Sequence, residues 1–230
     1  MARRQRVAIV GKTHMGNGIC IGGLLDASGQ PVRLLPVGHP CHPGSTPFDV
    51  GELWEMDLRR RWPVTPPHVE DHEEWDANFI EEIEDVGAYI RERIDPTEGT
   101  PSRLFGGRIC FRDSGTGTAF IDTRRPLPAN SVEFWELPAD LRIDPYNGKA
   151  RYKMFGRTKF LVSYVGVAEA IPVIWAGTLV RVSLARPWTK ANDPAEHTRC
   201  SVQLSGWFGV EAGERGNDGG AGASDDDIPF

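Results

Sequence analysis

The chain has 230 residues, of which 40% are hydrophobic and 25% are charged, a composition typical of a globular protein with a sizeable core. Its formal net charge of −6 comes almost entirely from residues 211–230, which hold six acids and one base and so contribute −5. The rest of the chain is nearly neutral. This excludes a protein that binds nucleic acid through an overall basic surface, so any such binding must come from a local patch.

The four cysteines, at positions 20, 41, 110 and 200, are scattered and form no C-x-x-C pair. No apolar run approaches the length of a membrane span, and no signal peptide precedes the first predicted strand. We therefore expect a cytoplasmic protein with reduced cysteines and no membrane partner.

The first part of the chain predicts strands followed by a helix. Apolar and β-branched residues indicate strands at 6–12, 19–25, 31–37 and 48–58, separated by turn residues. Apolar residues at 79, 80, 83, 86, 90 and 94 then follow a helical spacing. This spacing predicts a helix over 76–94, with Asp76 as its N-cap and Asp95-Pro96 at its end. A hairpin is predicted from 104–111 and 118–121.

The second half is predicted to be almost entirely β, with strands at 132–137, 149–155, 158–167, 177–185 and 200–208. Short strands at this spacing, with one substantial helix, predict a mainly β fold of two small OB-type Greek-key barrels. We place the first barrel at 1–128, the second at 129–210 and a disordered tail at 211–230; whether the barrels are sequential or interleaved stays open.

Several short motifs in residues 1–210 carry a resemblance. They are Lys12-Thr13, Cys20-Ile-Gly-Gly, Val32-Arg33-Leu34-Leu35, Pro66-Pro67-His68-Val69-Glu70-Asp71 and Gln203-Leu-Ser-Gly-Trp207. Together they resemble a prokaryotic family described as a dual OB-containing domain, which has been linked to conflict and mobile-element systems. The resemblance implies a nucleic-acid or nucleotide ligand and no established catalytic residues.

Two motifs have weak chemical signatures. Gly11-Lys12-Thr13 resembles the end of a phosphate-binding P-loop, but Arg6 occupies the position of the required upstream glycine. Lys12 therefore remains only as a single phosphate contact or an ordinary exposed lysine. His39, Cys41 and His42 are metal-capable, but their spacing matches no standard zinc site, which favours a proline-rich surface loop.

His68, Glu70, Asp71 and His72 form a dense cluster before the predicted helix. Carboxylates with histidines can hold Mg²⁺ or Mn²⁺ for phosphodiester hydrolysis. Alternatively, the acidic residues from Glu70 to Glu74 place negative charge near the helix N-terminus, where the helix dipole favours it. We favour the second explanation and predict no catalytic residue, no cofactor and no bound metal.

A basic stretch in the second half is the best candidate for ligand binding. Five cations and one aromatic residue occupy alternate positions: Lys149, Arg151, Lys153, Phe155, Arg157 and Lys159. On strands around a turn they would share one face, with Tyr152 and Met154 on the other. Cations around an aromatic ring can hold a single nucleic-acid strand by phosphate contacts and base stacking.

The chain ends in Asp225-Asp226-Asp227-Ile228-Pro229-Phe230, after a Gly-rich stretch with no apolar residue larger than Ala. Such a stretch is typical of a flexible tether. The end resembles the C-terminal tip of bacterial single-stranded-DNA-binding proteins, which docks repair and replication enzymes such as helicases and exonucleases. The resemblance implies a partner-binding role for these six residues, whereas a plain solubilising tail would leave Ile228 and Phe230 unexplained.

These observations predict a non-enzymatic OB-fold protein that binds single-stranded DNA or RNA and recruits genome-maintenance enzymes through its tip, in a conflict or mobile-element system. Two alternatives remain open. The protein could be a decoy that competes with the host single-strand-binding protein for its partners. It could instead be a metal-dependent enzyme or nucleotide sensor centred on residues 68–72.

Overall fold

The computed structural model describes residues 3–113, 116–154, 160–189 and 198–209. The predicted mainly β fold is confirmed: strands dominate, and one part of the fold is a closed five-stranded barrel. The predicted tail at 211–230 lies outside the described residues. Within the described part of the chain, no helix is long and apolar enough to cross a membrane.

The barrel is built from the first five strands: β1 (Arg3–Met15), β2 (Gly18–Leu25), β3 (Pro31–Pro36), β4 (Glu52–Arg60) and β5 (Asp71–Glu82). Their order around the barrel is β1-β2-β3-β5-β4. Only the contact between β3 and β5 is parallel among these pairs. Alternate residues such as Val7, Ile9 and Ile21 fill the interior, because successive side chains of a strand point to opposite faces.

The second part is a nine-stranded mixed sheet, with the order β12-β9-β10-β11-β7-β14-β13-β8 and with β6 paired to β7. Its strands are β6 (Cys110–Asp113), β7 (Thr116–Asp122), β8 (Val132–Glu136), β9 (Leu141–Ile143), β10 (Arg151–Met154), β11 (Phe160–Tyr164), β12 (Val173–Ile174), β13 (Leu179–Leu184) and β14 (Arg199–Phe208). Fully buried Trp135, Tyr152 and Phe160 lie in its core.

The first barrel was predicted to extend to residue 128, but its strands all end by Glu82. The strands β6 and β7 pair within the second sheet instead, with β7 antiparallel to β14 and parallel to β11. Pairing between segments so far apart in sequence leaves no periodic signal from which it could be predicted. The predicted strand from 104 is also wrong at its start, where Pro101–Arg103 and Leu104–Gly107 form helical turns.

The predicted helix over 76–94 is wrong in its first half. Residues 71–82 form β5, and the helix α1 spans only Val86–Arg91, with the Asp85 side chain accepting a hydrogen bond from the Ala88 N–H at its N-cap. The strand β5 pairs with β3 on one side and β4 on the other, and these backbone hydrogen bonds outweigh the local helical pattern. Asp76 is no N-cap, because its carboxylate pairs with Arg4 at 2.6 Å.

A third apolar cluster joins the barrel to the second sheet. Ala8 and Val10 point outward from the barrel and pack with Phe134, Leu179 and Phe208 of the second sheet, with Ile90 of α1 in the same cluster. Backbone hydrogen bonds add to this contact, since the His14 N–H donates to the Val165 carbonyl at 2.9 Å and the Val167 N–H donates to the Lys12 carbonyl at 3.0 Å. Both faces of β1 are therefore buried, and the space beside it is shaped by the two parts of the fold together.

Candidate functional site

The basic stretch predicted from the sequence lies partly on β10. The side chains of Arg151 and Lys153 are half-buried on one face of this strand, while Tyr152 and Met154 are buried in the core on the other. Lys149 is exposed in the turn before the strand, where its backbone N–H donates to the Tyr146 carbonyl. Phe155, Arg157 and Lys159 lie outside the described residues. We call the surface formed by Arg142, Lys149, Arg151 and Lys153 the basic face.

Arg142 belongs to this surface and was missed by the sequence analysis. It lies on β9 directly opposite Lys153 of β10, so the two side chains share one face of the sheet. The strand β9 has only three residues, too few to show an alternating pattern, and it was not predicted as a strand. Its strand pairing with β10, which the sequence does not reveal, is what brings Arg142 to the basic face.

Aromatic rings accompany two of these arginines. The guanidinium carbon of Arg151 lies 4.6 Å from the centre of the Tyr146 ring, and that of Arg142 lies 5.9 Å from the centre of the Trp175 ring. Tyr146 is 59% exposed, so most of this side chain is open to a ligand. Cations beside exposed rings provide both phosphate contacts and stacking surfaces, which is the combination used to hold single strands.

Nearby carboxylates reduce the positive charge of the basic face. Arg142 pairs with Asp140 at 3.1 Å, and Arg151 pairs with Asp144. The side chains of Arg142 and Asp140 are 52% and 31% exposed, and those of Arg151 and Asp144 are 23% and 38% exposed. Ion pairs open to solvent typically contribute only about 0–1 kcal/mol, so a phosphate group can replace the Asp140 carboxylate at lower cost than the Asp144 carboxylate, whose arginine is more buried.

Lys12 does not lie on the basic face. It is on β1, where its ammonium group pairs with Asp49 at 2.5 Å, and it lines a cavity of 340 Å³ together with Tyr164 and Trp207. With its side chain 17% exposed and paired with Asp49, Lys12 is not an ordinary exposed lysine, and its role as a phosphate contact stays a prediction.

Each side chain of the acid–histidine cluster makes a separate interaction. The His68 Nε2–H donates to the Leu184 carbonyl at 3.1 Å, and the His72 Nδ1–H donates to the Glu70 carbonyl at 2.8 Å. The carboxylate of Glu70 accepts hydrogen bonds from the N–H and hydroxyl of Ser131. Asp71 pairs with Arg33 and Arg186 at 2.6 and 2.7 Å.

No group of three or more His, Cys, Asp and Glu side chains among the described residues is arranged to hold a metal ion. The favoured explanation for residues 70–74, a charge effect at a helix N-terminus, is wrong, because Asp71 to Glu74 belong to β5. The other metal-capable motif is not wholly a surface loop. His42 is buried, its Nε2–H donates to the Leu34 carbonyl at 3.2 Å, and its ring packs edge-on against Phe48.

The burial of His42 and His68 predicts a pH-dependent stability. Desolvation lowers the pKa of both imidazoles below the ordinary value of about 6.5. Below this value the unfolded chain binds more protons than the folded chain. The stabilisation is therefore complete above about pH 6.5 and is lost as the pH falls through the folded-state pKa. His68→Gln keeps an N–H donor for the Leu184 carbonyl and removes the titration.

We expect the free energy of unfolding of His68→Gln, measured with urea at pH 7.5 and 5.5, to change less with pH than that of the wild type. The pH dependence of the two proteins should differ by no more than about 1.4 kcal/mol per pH unit, the value for one proton. His39→Gln replaces an exposed histidine and is the matched control for the substitution itself. Equal pH dependence in all three proteins would contradict the assignment to His68.

The predicted partner-binding residues, Asp225, Asp226, Asp227, Ile228, Pro229 and Phe230, lie outside the described residues. The two parts of the predicted function therefore differ in their support. The basic face has a described geometry in Arg142, Lys149, Arg151 and Lys153, whereas the tip still depends on its sequence alone.

Comparison with known proteins adds little to this geometry. No protein-family model matches the chain, and no curated protein matches it. Among solved structures, the chain is similar to a murine DNA-binding protein bound to double-stranded DNA, with 10% sequence identity and a TM-score of 0.33, over 93% of this chain and 99% of the other. A similarity this weak supports no conclusion about the fold or the ligand of this chain.

Proposed function

We propose that this protein binds single-stranded nucleic acid on the basic face and recruits genome-maintenance enzymes through its C-terminal tip, without catalysing a reaction itself. The observation that carries the proposal is the cross-strand pair of Arg142 and Lys153, flanked by Arg151, with Tyr146 and Trp175 beside the two guanidinium groups. Cations and rings grouped in this way suit a polymer that offers phosphates and bases together.

The nearly neutral composition outside residues 211–230 gives this grouping its significance. A strongly basic protein would show such a cluster by chance more often than a chain in which acidic and basic residues nearly balance. Adjacent strands lie about 4.8 Å apart, and alternate residues on one strand lie about 6.6 Å apart. Arg142, Arg151 and Lys153 are therefore close enough to contact neighbouring phosphates of a single strand.

The recruitment role depends on the resemblance of the tip to that of single-strand-binding proteins. Three carboxylates would accelerate association with a basic receptor, and the Ile-Pro-Phe end would provide the apolar anchor. We further propose a cytoplasmic location and a role in a conflict or mobile-element system, both of which follow from sequence features alone. The decoy alternative would keep the tip and lack the nucleic-acid ligand.

The basic face is tested by fluorescence polarisation with a labelled single-stranded oligonucleotide over a range of salt concentrations. We expect the double variant Arg142→Ala/Lys153→Ala to bind more weakly. The magnitude of the slope of log affinity against log salt should fall by about 1.4, because the variant loses two phosphate contacts and its binding therefore releases fewer counterions than that of the wild type. Tyr146→Ala should cost about 1–3 kcal/mol if a base stacks on this ring.

The matched control is Arg103→Ala/Arg108→Ala, which removes two exposed arginines at the helical turns before β6 and should leave both affinity and slope unchanged. Folding of every variant is verified by thermal unfolding. If the wild type binds no single strand while its tip binds a helicase, the decoy alternative replaces this proposal. Equal losses in the two double variants would show that the basic face has no specific role.

A further inference from the structure

A second cavity, of 320 Å³, lies between the barrel and the second sheet. Strands β1–β3 and the segment before β5 form one wall, and β13 forms the other together with residues of β8 and β14. The charged and polar side chains lining it include Arg33, His68, Glu70, Arg181 and Arg186. We call it the arginine pocket. It shares no residue with the basic face, so a ligand of this pocket does not depend on the proposed function.

Arg181 is the unusual residue of this pocket. It lies in the middle of β13, and only 6% of it is exposed. Its guanidinium group lies against Gly11 and Gly22, which are paired across β1 and β2. A Cβ atom added at Gly22 would lie 2.4 Å from Nη2, and one at Gly11 would lie 3.0 Å from the guanidinium carbon. Two strand glycines therefore leave the space that this guanidinium occupies.

An irregularity in the second sheet adds one contact to Arg181. Arg181 pairs with Gly206 and Val182 pairs with Leu204, so Ser205 is an extra residue on β14. The Ser205 hydroxyl accepts a hydrogen bond from Arg181 Nη1 at 2.9 Å and donates to the Arg181 carbonyl at 3.0 Å. Such bulges often re-aim a side chain at a functional site.

The charge of Arg181 has no direct counterion in the described part of the chain. No carboxylate there forms an ion pair with it, and its buried Nε–H has no hydrogen-bond partner. The carboxylate of nearby Glu70 is occupied by two hydrogen bonds from Ser131. Burying a charge is unfavourable unless it is paired, so this guanidinium lacks the partner that an anion would provide.

Arg33 is a second partly buried arginine that lines the same pocket. It lies on β3 directly opposite Gly22, in the same cross-strand row as Gly11, and its buried Nε–H also has no hydrogen-bond partner. Arg33 and Arg186 both donate to the same oxygen of Asp71. The Asp71 carboxylate is thus shared by Arg33 and Arg186, while Arg181 pairs directly with no carboxylate in the described part of the chain.

We propose that the arginine pocket binds a phosphate monoester, with Arg181 and Arg33 as the groups that hold the phosphate. The planar guanidinium fork matches the oxygens of a phosphate group and makes two parallel hydrogen bonds to it. A cavity of 320 Å³ is at the small end of ligand sites and suits a molecule of mononucleotide size. The phosphate comes either from a free mononucleotide or from the terminal phosphate of a strand.

The proposal is tested with the full-length protein by isothermal titration calorimetry, using adenosine 5′-monophosphate, inorganic phosphate and adenosine as probes. We expect the two phosphate-bearing probes to bind and adenosine not to bind. Arg33→Gln should weaken monophosphate binding at least tenfold, and Arg181→Lys, which replaces the fork by a point charge, should do the same. If Arg181→Lys fails to fold, Arg33→Gln still tests the proposal. This variant should fold, because Asp71 keeps its ion pair with Arg186.

The control is Arg108→Gln, an exposed arginine outside the pocket, which should bind as the wild type does. A 5′-phosphorylated oligonucleotide that binds more tightly than its 5′-hydroxyl counterpart, with the difference lost in Arg33→Gln, identifies a strand end as the ligand. Equal binding of the two strands, with monophosphate still bound, identifies a free mononucleotide. Absence of binding by both phosphate probes, or wild-type affinity in Arg33→Gln, overturns the proposal.

Discussion

Deletion of Phe230 alone is expected to remove most of the affinity of this protein for a helicase or exonuclease that recognises single-strand-binder tips. The deletion removes the aromatic anchor and moves the terminal carboxylate to a different residue. Loss of such an anchor typically costs at least about 2 kcal/mol, or about 30-fold in affinity. Binding of the enzyme to the immobilised full-length protein, measured by surface plasmon resonance, provides the comparison.

Two further variants distinguish the contribution of the aromatic residue Phe230 from that of the three aspartates. Reversing the charges of Asp225, Asp226 and Asp227 should act mainly on the association rate and its salt dependence. Truncation after residue 210 should abolish enzyme binding but leave thermal unfolding unchanged, because residues 211–224 contain no large apolar side chain that could pack. If the Phe230 deletion binds the enzyme as well as the full chain does, the tail only keeps the protein soluble.

Most strands could be predicted from the sequence because their signals are local. β2, for example, spans Gly18–Leu25, against a prediction of 19–25, and is bounded by turn residues that end a strand wherever it lies in a fold. The helix could not be placed so well. Phe79 and Ile80 extended the apparent helical stripe, yet they are 49% and 39% exposed on β5, whereas Ile83, Val86, Ile90 and Ile94 do face the core.

The sites were predictable only where a single strand carries them. Arg151 and Lys153 alternate with buried Tyr152 and Met154, and this pattern is visible in four consecutive residues. Arg181 shows no such signal, because its strand reads as an ordinary buried segment and its environment is made by Gly11 and Gly22 of another part of the chain. The only local sign of this site in the sequence is the pair of glycines inside predicted strands, because a glycine there often marks the close approach of another group.

Replacement of Glu70 by Ala is expected to give a large loss of stability, which would assign this residue a structural role rather than a metal-binding one. Only 4% of Glu70 is exposed, and its carboxylate accepts hydrogen bonds from the Ser131 N–H at 2.5 Å and the Ser131 hydroxyl at 2.8 Å. Ser131 directly precedes β8, so this side chain connects the barrel to the second sheet. Its removal leaves a buried N–H without a partner.

An unsatisfied buried donor costs about 1–3 kcal/mol, and hydrogen bonds to a charged group contribute about 1.5–3 kcal/mol. We therefore expect Glu70→Ala to lower the free energy of unfolding in urea by about 3 kcal/mol. Glu70→Gln retains an acceptor for the Ser131 N–H and should cost about half as much.

Asp49→Ala is the matched control for Glu70→Ala, because it breaks an ion pair with Lys12 that is equally short, at 2.5 Å, but 68% of the Asp49 side chain is exposed. Water and salt screen this pair, so its loss should cost less than about 1 kcal/mol. The contrast isolates burial, and not distance, as the source of the effect. A Glu70→Ala protein as stable as Asp49→Ala would show that Ser131 finds another partner.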